Sequence, residues 1–241
     1  MSTLTDERTV GEIAAEYPAT VRVFQRYNID FCCGGKLPLR EACEGRGISA
    51  GELLAELSGA TSARIPDAVD WNSATLGALI DHIGATHHEY LKLELPRLGA
   101  LLAKVIEKHN RKYGNIPERL GAIYGELRAE LESHLMKEEM VLFPLIEDIE
   151  SAARTGRPAA PAHCGSVNNP IRVMLHEHDA AGHALAAMRS VTGEYEVPAD
   201  ACNTFRALYH DLQALETDLH QHIHLENNIL FPRAAALEAR L

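Results

Sequence analysis

The chain has 241 residues, 46% of them hydrophobic and 24% charged, with 23 Lys+Arg against 34 Asp+Glu and a formal net charge of −11. That length suits one large domain or a mid-sized domain plus a small one, and the acidity argues against wrapping nucleic acid or lying on an anionic membrane. No apolar run approaches the roughly 18 residues of a transmembrane helix, and the polar start MSTLTDERTVGE does not read as a secretory signal.

In chain order, the first sixty residues read as short helical pieces: Val10–Tyr17, Thr20–Tyr27, Leu39–Glu44 and Ser49–Leu57. Pro18, Gly34-Gly35, Gly45 and Gly47 punctuate them. Ser58–Pro66 has linker composition. From Trp71-Asn72-Ser73 onward the chain changes to long helical stretches, broken at Asn110–Pro117, Thr155–Pro170 and Thr192–Asp200. Long helices with three Gly-, Pro- or Asn-rich breaks predict an all-α, up-down-up-down four-helix bundle. The expected division is 1–62 as a small N-terminal domain, 63–72 as linker and 73–241 as the bundle.

Each predicted helix carries a stripe of inward positions. The first runs His88, Leu91, Leu95, Leu98, Leu102, Val105, His109. The second runs Leu120, Tyr124, Leu127, Leu131, His134, Glu138, Val141, Leu145, and the third Ile171, Met174, His178, Ala181, Leu185, Met188. The fourth runs Leu208, Leu212, Leu215, Leu219, His222, Glu226, Ile229. Histidines and glutamates interrupt these apolar stripes at His88, His134, Glu138, His178, His222 and Glu226.

Two segments repeat as HxxxExxxLFP, from His134 to Pro144 and from His222 to Pro232. In an antiparallel hairpin two residues lie level when the turn falls midway between them. The residue midway between His88 and His134 is Arg111, between His134 and His178 it is Gly156, and between His178 and His222 it is Asp200. All three lie in the predicted breaks, so the four histidines fall at one height. Glu138 and Glu226 follow their histidines by one helical turn on the same face.

Buried charge is costly unless it is paired or coordinates a metal. Mixed imidazole and carboxylate donors suit iron, zinc or manganese. Two glutamates in the layer suggest two metals bridged by carboxylates. With both metals octahedral, four imidazoles, two bridging carboxylates and a solvent-derived oxo or hydroxo bridge leave one open position on each. His109 sits about 31 Å along a straight helix from His88 and is excluded unless the chain folds back near Pro96. His176, His220 and His224 lie near the layer but off the stripes, and the last two read as a solvated face. His82, His87, His163, His183 and His210 have no partner that the sequence identifies.

Of the five cysteines, Cys32 and Cys33 are adjacent, in Asp30-Phe31-Cys32-Cys33-Gly34-Gly35-Lys36; Cys43, Cys164 and Cys202 are single. An odd count without a leader favours a reducing compartment, the cytoplasm, over a disulfide framework. A bridge between neighbours about 3.8 Å apart would be strained. The pair is either reactive, activated by the nearby lysine, or two small buried residues at a turn. No GxSxG, P-loop or HExxH occurs, so there is no hydrolase or transferase signature.

Tyr27-Asn-Ile-Asp-Phe-Cys-Cys-Gly-Gly-Lys36, His134-Leu-Met-Lys-Glu138-Glu, Glu177-His178-Asp179 and His222-Ile-His-Leu-Glu226-Asn-Asn together resemble the hemerythrin-like iron–sulfur cluster repair di-iron proteins, the RIC family (YtfE, ScdA or DnrN). The resemblance covers nearly the whole chain, with residues 1–62 as an ScdA-type domain. It implies a non-haem centre of two iron ions, with His88, His134, His178 and His222 as terminal ligands and Glu138 and Glu226 as bridges. It also implies a cytoplasmic role under nitric oxide or oxidative stress, in which damaged iron–sulfur clusters are restored by iron delivery or nitric oxide is handled. Cys32 and Cys33 would then carry the reactive chemistry. Partners would be damaged iron–sulfur proteins or cluster-assembly proteins, with nitric oxide or dioxygen as small ligand and a homodimer as an allowed assembly. The alternative is a hemerythrin-like dioxygen or nitric oxide carrier or sensor; a third reading is a regulatory protein whose bundle senses iron.

Overall fold

The computed structural model describes residues 4–62, 69–157 and 165–241. Four short helices come first: α1 (Val10–Glu16), α2 (Val21–Arg26), α3 (Leu39–Glu44) and α4 (Ala50–Ser62). Thr9 starts α1 with a capping box, accepting from the Glu12 N–H at 3.3 Å while Glu12 accepts from the Thr9 N–H at 3.0 Å. The last of these helices runs on to Ser62, into the stretch read from composition as linker. Residues 63–68 of the expected linker lie outside the described residues.

The remainder is a helix bundle, and no β-strand occurs among the described residues. Its first limb is α5 (Leu76–Ile83) continuing into α6 (Glu89–His109), and its second is α7 (Ile116–Lys137) continuing into α8 (Phe143–Thr155). The third is α9 (Asn168–Val191), and the fourth is α10 (Asn203–Leu225) continuing into α11 (Phe231–Glu238). The turns match the predicted breaks. Asn115, with φ of 63°, reverses the chain ahead of Pro117, and Gly156, with φ of 68°, ends α8 in the left-handed conformation that glycine tolerates. Of the Thr155–Pro170 break, residues 158–164, including His163 and Cys164, lie outside the described residues. Pro96 lies inside a helix that runs on to His109, so the chain does not fold back there.

Three limbs are joined at their middles by a π turn, at Gly84–His88, Glu138–Leu142 and Glu226–Leu230. Each closes by an i→i+5 bond, as the Phe143 N–H donates to the Glu138 carbonyl and the Phe231 N–H to that of Glu226. The extra residue in such a turn displaces the inward positions beyond it. The second stripe therefore departs from its strict heptad. Val141 is 52% exposed and Leu145 half-buried, while Leu142, Ile146 and Ile149 take the inward places. The other three stripes are buried as expected, apart from half-buried His109.

The core has two apolar clusters. One contains Leu91, Leu131, Leu185 and Leu219 together with the N-terminal helices; the other contains Leu79, Ile83, Leu142, Ile146, Met174 and Ile229. On each limb the interrupting His and Glu residues lie between members of the two clusters. The polar layer is therefore sandwiched within otherwise continuous hydrophobic packing.

Candidate metal centre

The packing brings His88, His134, Glu138, His178, His222 and Glu226 together, all buried, in two overlapping groups. One is His88, Glu138, His222 and Glu226; the other is His134, Glu138, His178 and Glu226. Both carboxylates belong to both groups. In the first, the Nε2 atoms of His88 and His222 are 3.3 Å apart, and in the second those of His134 and His178 are 3.1 Å apart. Two ligand nitrogens bonded at about 2.1 Å to one ion lie about 3.0–3.4 Å apart, for cis-octahedral or tetrahedral angles.

Glu138 Oε2 sits between the two groups, 3.4 Å from His88 Nε2 and 3.3 Å from His134 Nε2. Glu226 spans them with both oxygens, Oε1 at 3.2 Å from His222 Nε2 and Oε2 at 3.2 Å from His178 Nε2. None of the four carboxylate oxygens has a hydrogen-bond partner of acceptable geometry among the described residues. Buried carboxylates left without donors are strongly unfavourable in a purely protein environment.

The imidazole tautomers sharpen this. His88 Nδ1 lies 2.9 Å from Glu139 Oε1, His134 Nδ1 2.8 Å from Glu177 Oε2, and His178 Nδ1 2.7 Å from Asn227 Oδ1. Each oxygen can only accept, which assigns a proton to Nδ1 and, in the neutral ring, turns the Nε2 lone pair inward. This is the usual outer support of a metal-binding histidine. His222 Nδ1 is buried and has no such partner among the described residues.

The field at His88 and His134 favours positive charge, whereas burial lowers His222. Burial lowers His134, but Glu138 and Glu226 outweigh it and bring its pKa to about 9. Burial likewise opposes ionisation of Glu226, yet His222 and His178 hold it well below the usual carboxylate range. Outside the layer, Lys92 lies 2.9 Å from Glu139, and Lys137 pairs with Glu177. Burial would raise both of these carboxyls, but the lysines and the neighbouring imidazoles keep them low. Convergent lone pairs, orphaned carboxylates and charge-compensated outer partners fit a metal site.

Sequence reasoning missed these outer partners. Glu139, Glu177 and Asn227 all adjoin ligand candidates and lie in the quoted motifs, but helical periodicity places them off the stripe, where nothing distinguishes them from solvated polar residues.

The other histidines divide by environment. His109 is at the far end of its helix, 3.2 Å from Cys202 Sγ, and joins neither group. His220 and His224 are not a solvated face. The N-terminal domain covers them, with Phe31 edge-on to both, and His224 is only 2% exposed, its pKa pushed down to about 4 by that burial. His87, unassigned from sequence, is buried 2.8 Å from Asp218 and stacks on the His222 ring. His82 stacks on Trp71, His210 contacts Asp211, and His176 and His183 are exposed.

The Cys32–Cys33 loop docks beside the layer. Asn228, in the fourth limb's π turn, donates to the Phe31 carbonyl at 2.9 Å, and the Gly11 N–H donates to that of Gly35 at 2.7 Å. A Cβ on Gly11 would stand 2.4 Å from Asn228 Oδ1, so glycine is what permits this approach. Cys33 Sγ lies 3.3 Å from the His178 carbonyl oxygen. The charged neighbour of the pair is not the lysine expected from sequence but Asp30, whose Oδ1 is 3.2 Å from Cys32 Sγ. Cys33, burial and Asp30 together raise the Cys32 thiol well above its ordinary value.

Residues 6–61 match the ScdA_N model, described as a domain of unknown function, and residues 79–234 match the hemerythrin HHE cation-binding domain. The chain is 39% identical over 233 residues to a protein of Musicola paradisiaca named iron-sulfur cluster repair protein YtfE, covering 97% of this chain and 98% of that one. Proteins of the same name from Edwardsiella ictaluri and Escherichia coli O81 are 40% and 37% identical over 229 and 232 residues, covering 95–96% of this chain and 96–98% of theirs.

Proposed function

Because the chain belongs to the YtfE family of iron–sulfur cluster repair proteins, we propose that it restores damaged iron–sulfur clusters by releasing or delivering iron from a di-iron centre. The observation that carries this reading is the sharing of Glu138 and Glu226 between two histidine pairs, with all four carboxylate oxygens otherwise unpartnered. Under it, His88 and His222 would hold one iron, His134 and His178 would hold the other, and Glu138 and Glu226 would be shared between them. The family resemblance supports iron, and the imidazole-rich donor set is compatible with it.

When bound, the metal pair supplies exchangeable coordination positions and redox capacity. The chain's own residues supply the rest. Glu139, Glu177 and Asn227 hold three imidazoles with their Nε2 lone pairs inward. The apolar clusters on either side exclude water from the layer. Only two anionic side chains occur among the six proposed ligands, so the donor set stabilises the ferrous state more than a carboxylate-rich one would.

A second reading, nitric oxide or dioxygen binding at the same centre, is favoured by a small cavity beside His134, His178 and His222. Leu127, Leu131, Ala181, Leu219 and Ile223 make its lining largely apolar, which suits a diatomic ligand. The chain has no helix among the described residues long and apolar enough to cross a membrane. Free Cys32, Cys33, Cys43 and Cys202 support a reducing compartment, the cytoplasm.

The test is metal analysis with a Mössbauer spectrum of anaerobically purified protein. Two irons per chain in a coupled pair are expected, and the protein should reactivate an oxidatively damaged iron–sulfur enzyme. A mononuclear or iron-free protein would overturn the di-iron reading.

A further inference from the structure

Between the N-terminal domain and the bundle lies a cleft of about 630 Å³, lined on one side by Asp30, Cys32 and Cys33 and on the other by Gly182, Arg189 and His220. Asp30, Cys32 and Cys33 each offer one potential ligand atom, all within 4.8 Å of one another, and none of these residues belongs to the His/Glu layer. We propose that they form a second metal site, for a thiophilic divalent cation, at the mouth of this cleft.

The spacing carries the argument. Cys32 Sγ and Cys33 Sγ are 3.9 Å apart. That is too far for a bond between sulfurs, but it is the edge of a tetrahedron: two thiolates bonded at about 2.3 Å to one ion stand about 3.8 Å apart. Asp30 Oδ1 stands 3.2 Å from Cys32 Sγ and accepts from the Cys32 N–H at 2.9 Å, so the backbone fixes the carboxylate beside the sulfurs. The loop is pinned from behind by Asn228 and Gly11. Gly182 leaves space for Cys33, because a Cβ there would be 3.2 Å from the sulfur. Two sulfurs and one carboxylate would fill three tetrahedral positions and leave the fourth open, the pattern of a site that exchanges its cargo rather than a closed structural one.

On loading, the hydrated cation gives up bound waters for two sulfur bonds and one oxygen bond, and the two thiol protons pass to solvent; no electron is transferred. Cys33 also touches the backbone of His178, so the proposed site and the His/Glu layer share one turn of α9. The site rests on the iron-delivery reading only for the identity of its physiological cation, ferrous iron in transit between the bundle and a client.

The test is a cobalt(II) titration of the full, iron-loaded, thiol-reduced chain under anaerobic conditions. The bundle ligands contain no sulfur, so a sulfur-to-cobalt charge-transfer band reports on cysteine alone. One cobalt per chain with such a band is expected, and Cys32→Ser/Cys33→Ser should abolish it while bundle iron is retained. Asp30→Asn keeps both thiols but removes the anionic oxygen donor, and should weaken cobalt binding by more than the roughly 10-fold loss typical of an outer partner. No band in the unsubstituted chain would overturn the site. So would a band that survives the double substitution, which would belong to one of the other cysteines. Bundle iron assayed before the titration separates the two readings: a chain that takes up no bundle iron yet gives the band supports this site and sinks the delivery reading.

Discussion

Cys33 and His178 are 145 residues apart in the chain, yet the Cys33 sulfur lies 3.3 Å from the His178 carbonyl oxygen. The vicinal thiols and the His/Glu layer are therefore neighbours, joined through α9 on one side and through Asn227 on the other, which lies 2.7 Å from His178 Nδ1 and 3.5 Å from the Cys32 carbonyl. Docking of the small domain and support of one proposed ligand use the same residues.

That contact depends on Gly11. Gly11→Ala places a methyl group against Asn228 and the Gly35 carbonyl, an overpacking worth about 1–3 kcal/mol. We expect a lower melting temperature and faster reaction of Cys33 with a thiol reagent, while bundle metal is retained. Unchanged thiol reactivity would show that the loop does not dock as described.

Glu138 and Glu226 are each shared between two histidine pairs. Glu138→Ala or Glu226→Ala should reduce iron from two per chain to one or none, as metal analysis would show. Retention of two irons in either variant would remove that residue from the bridge.

The outer partners should matter without touching metal. Glu139→Ala, Glu177→Ala and Asn227→Ala each release one imidazole tautomer, and loss of such support typically costs 10-fold to 100-fold in metal affinity. Competition with a chelator reads this directly. Glu130→Ala, near the site but paired with none of the four histidines, serves as the control and should leave affinity within about twofold.

Metal removal should destabilise the bundle, because four imidazoles and two carboxylates then face one another in a dry layer. At free metal 100-fold above its dissociation constant, binding contributes about 2.7 kcal/mol. For a chain of this size that corresponds to a fall in melting temperature of roughly 5–10 °C on chelation. Calorimetry showing no shift would mean that the layer does not couple metal to folding.

The helical periodicity of the sequence was enough to bring four histidines and two glutamates to one level. Positions along a helix repeat every 3.6 residues, and short antiparallel turns convert sequence midpoints into equal heights. These are local rules, and His88, His134, Glu138, His178, His222 and Glu226 obey them. What lay beyond the sequence depended on neighbouring elements. The π turn at Glu138 moved the inward positions from Val141 and Leu145 to Leu142 and Ile146, because the extra residue of a π turn is selected by packing and not by helical periodicity. Glu139, Glu177 and Asn227 became imidazole partners only when adjacent limbs faced one another. His224 was removed from solvent only when the N-terminal domain docked on the bundle, while Asp30 rather than Lys36 was set beside the thiols by the local turn in which its carboxylate accepts from the Cys32 N–H. The sequence alone determined which side chains could form a metal layer. Tertiary packing decided what surrounds, orients and adjoins that layer, because those contacts join residues that no helical repeat relates.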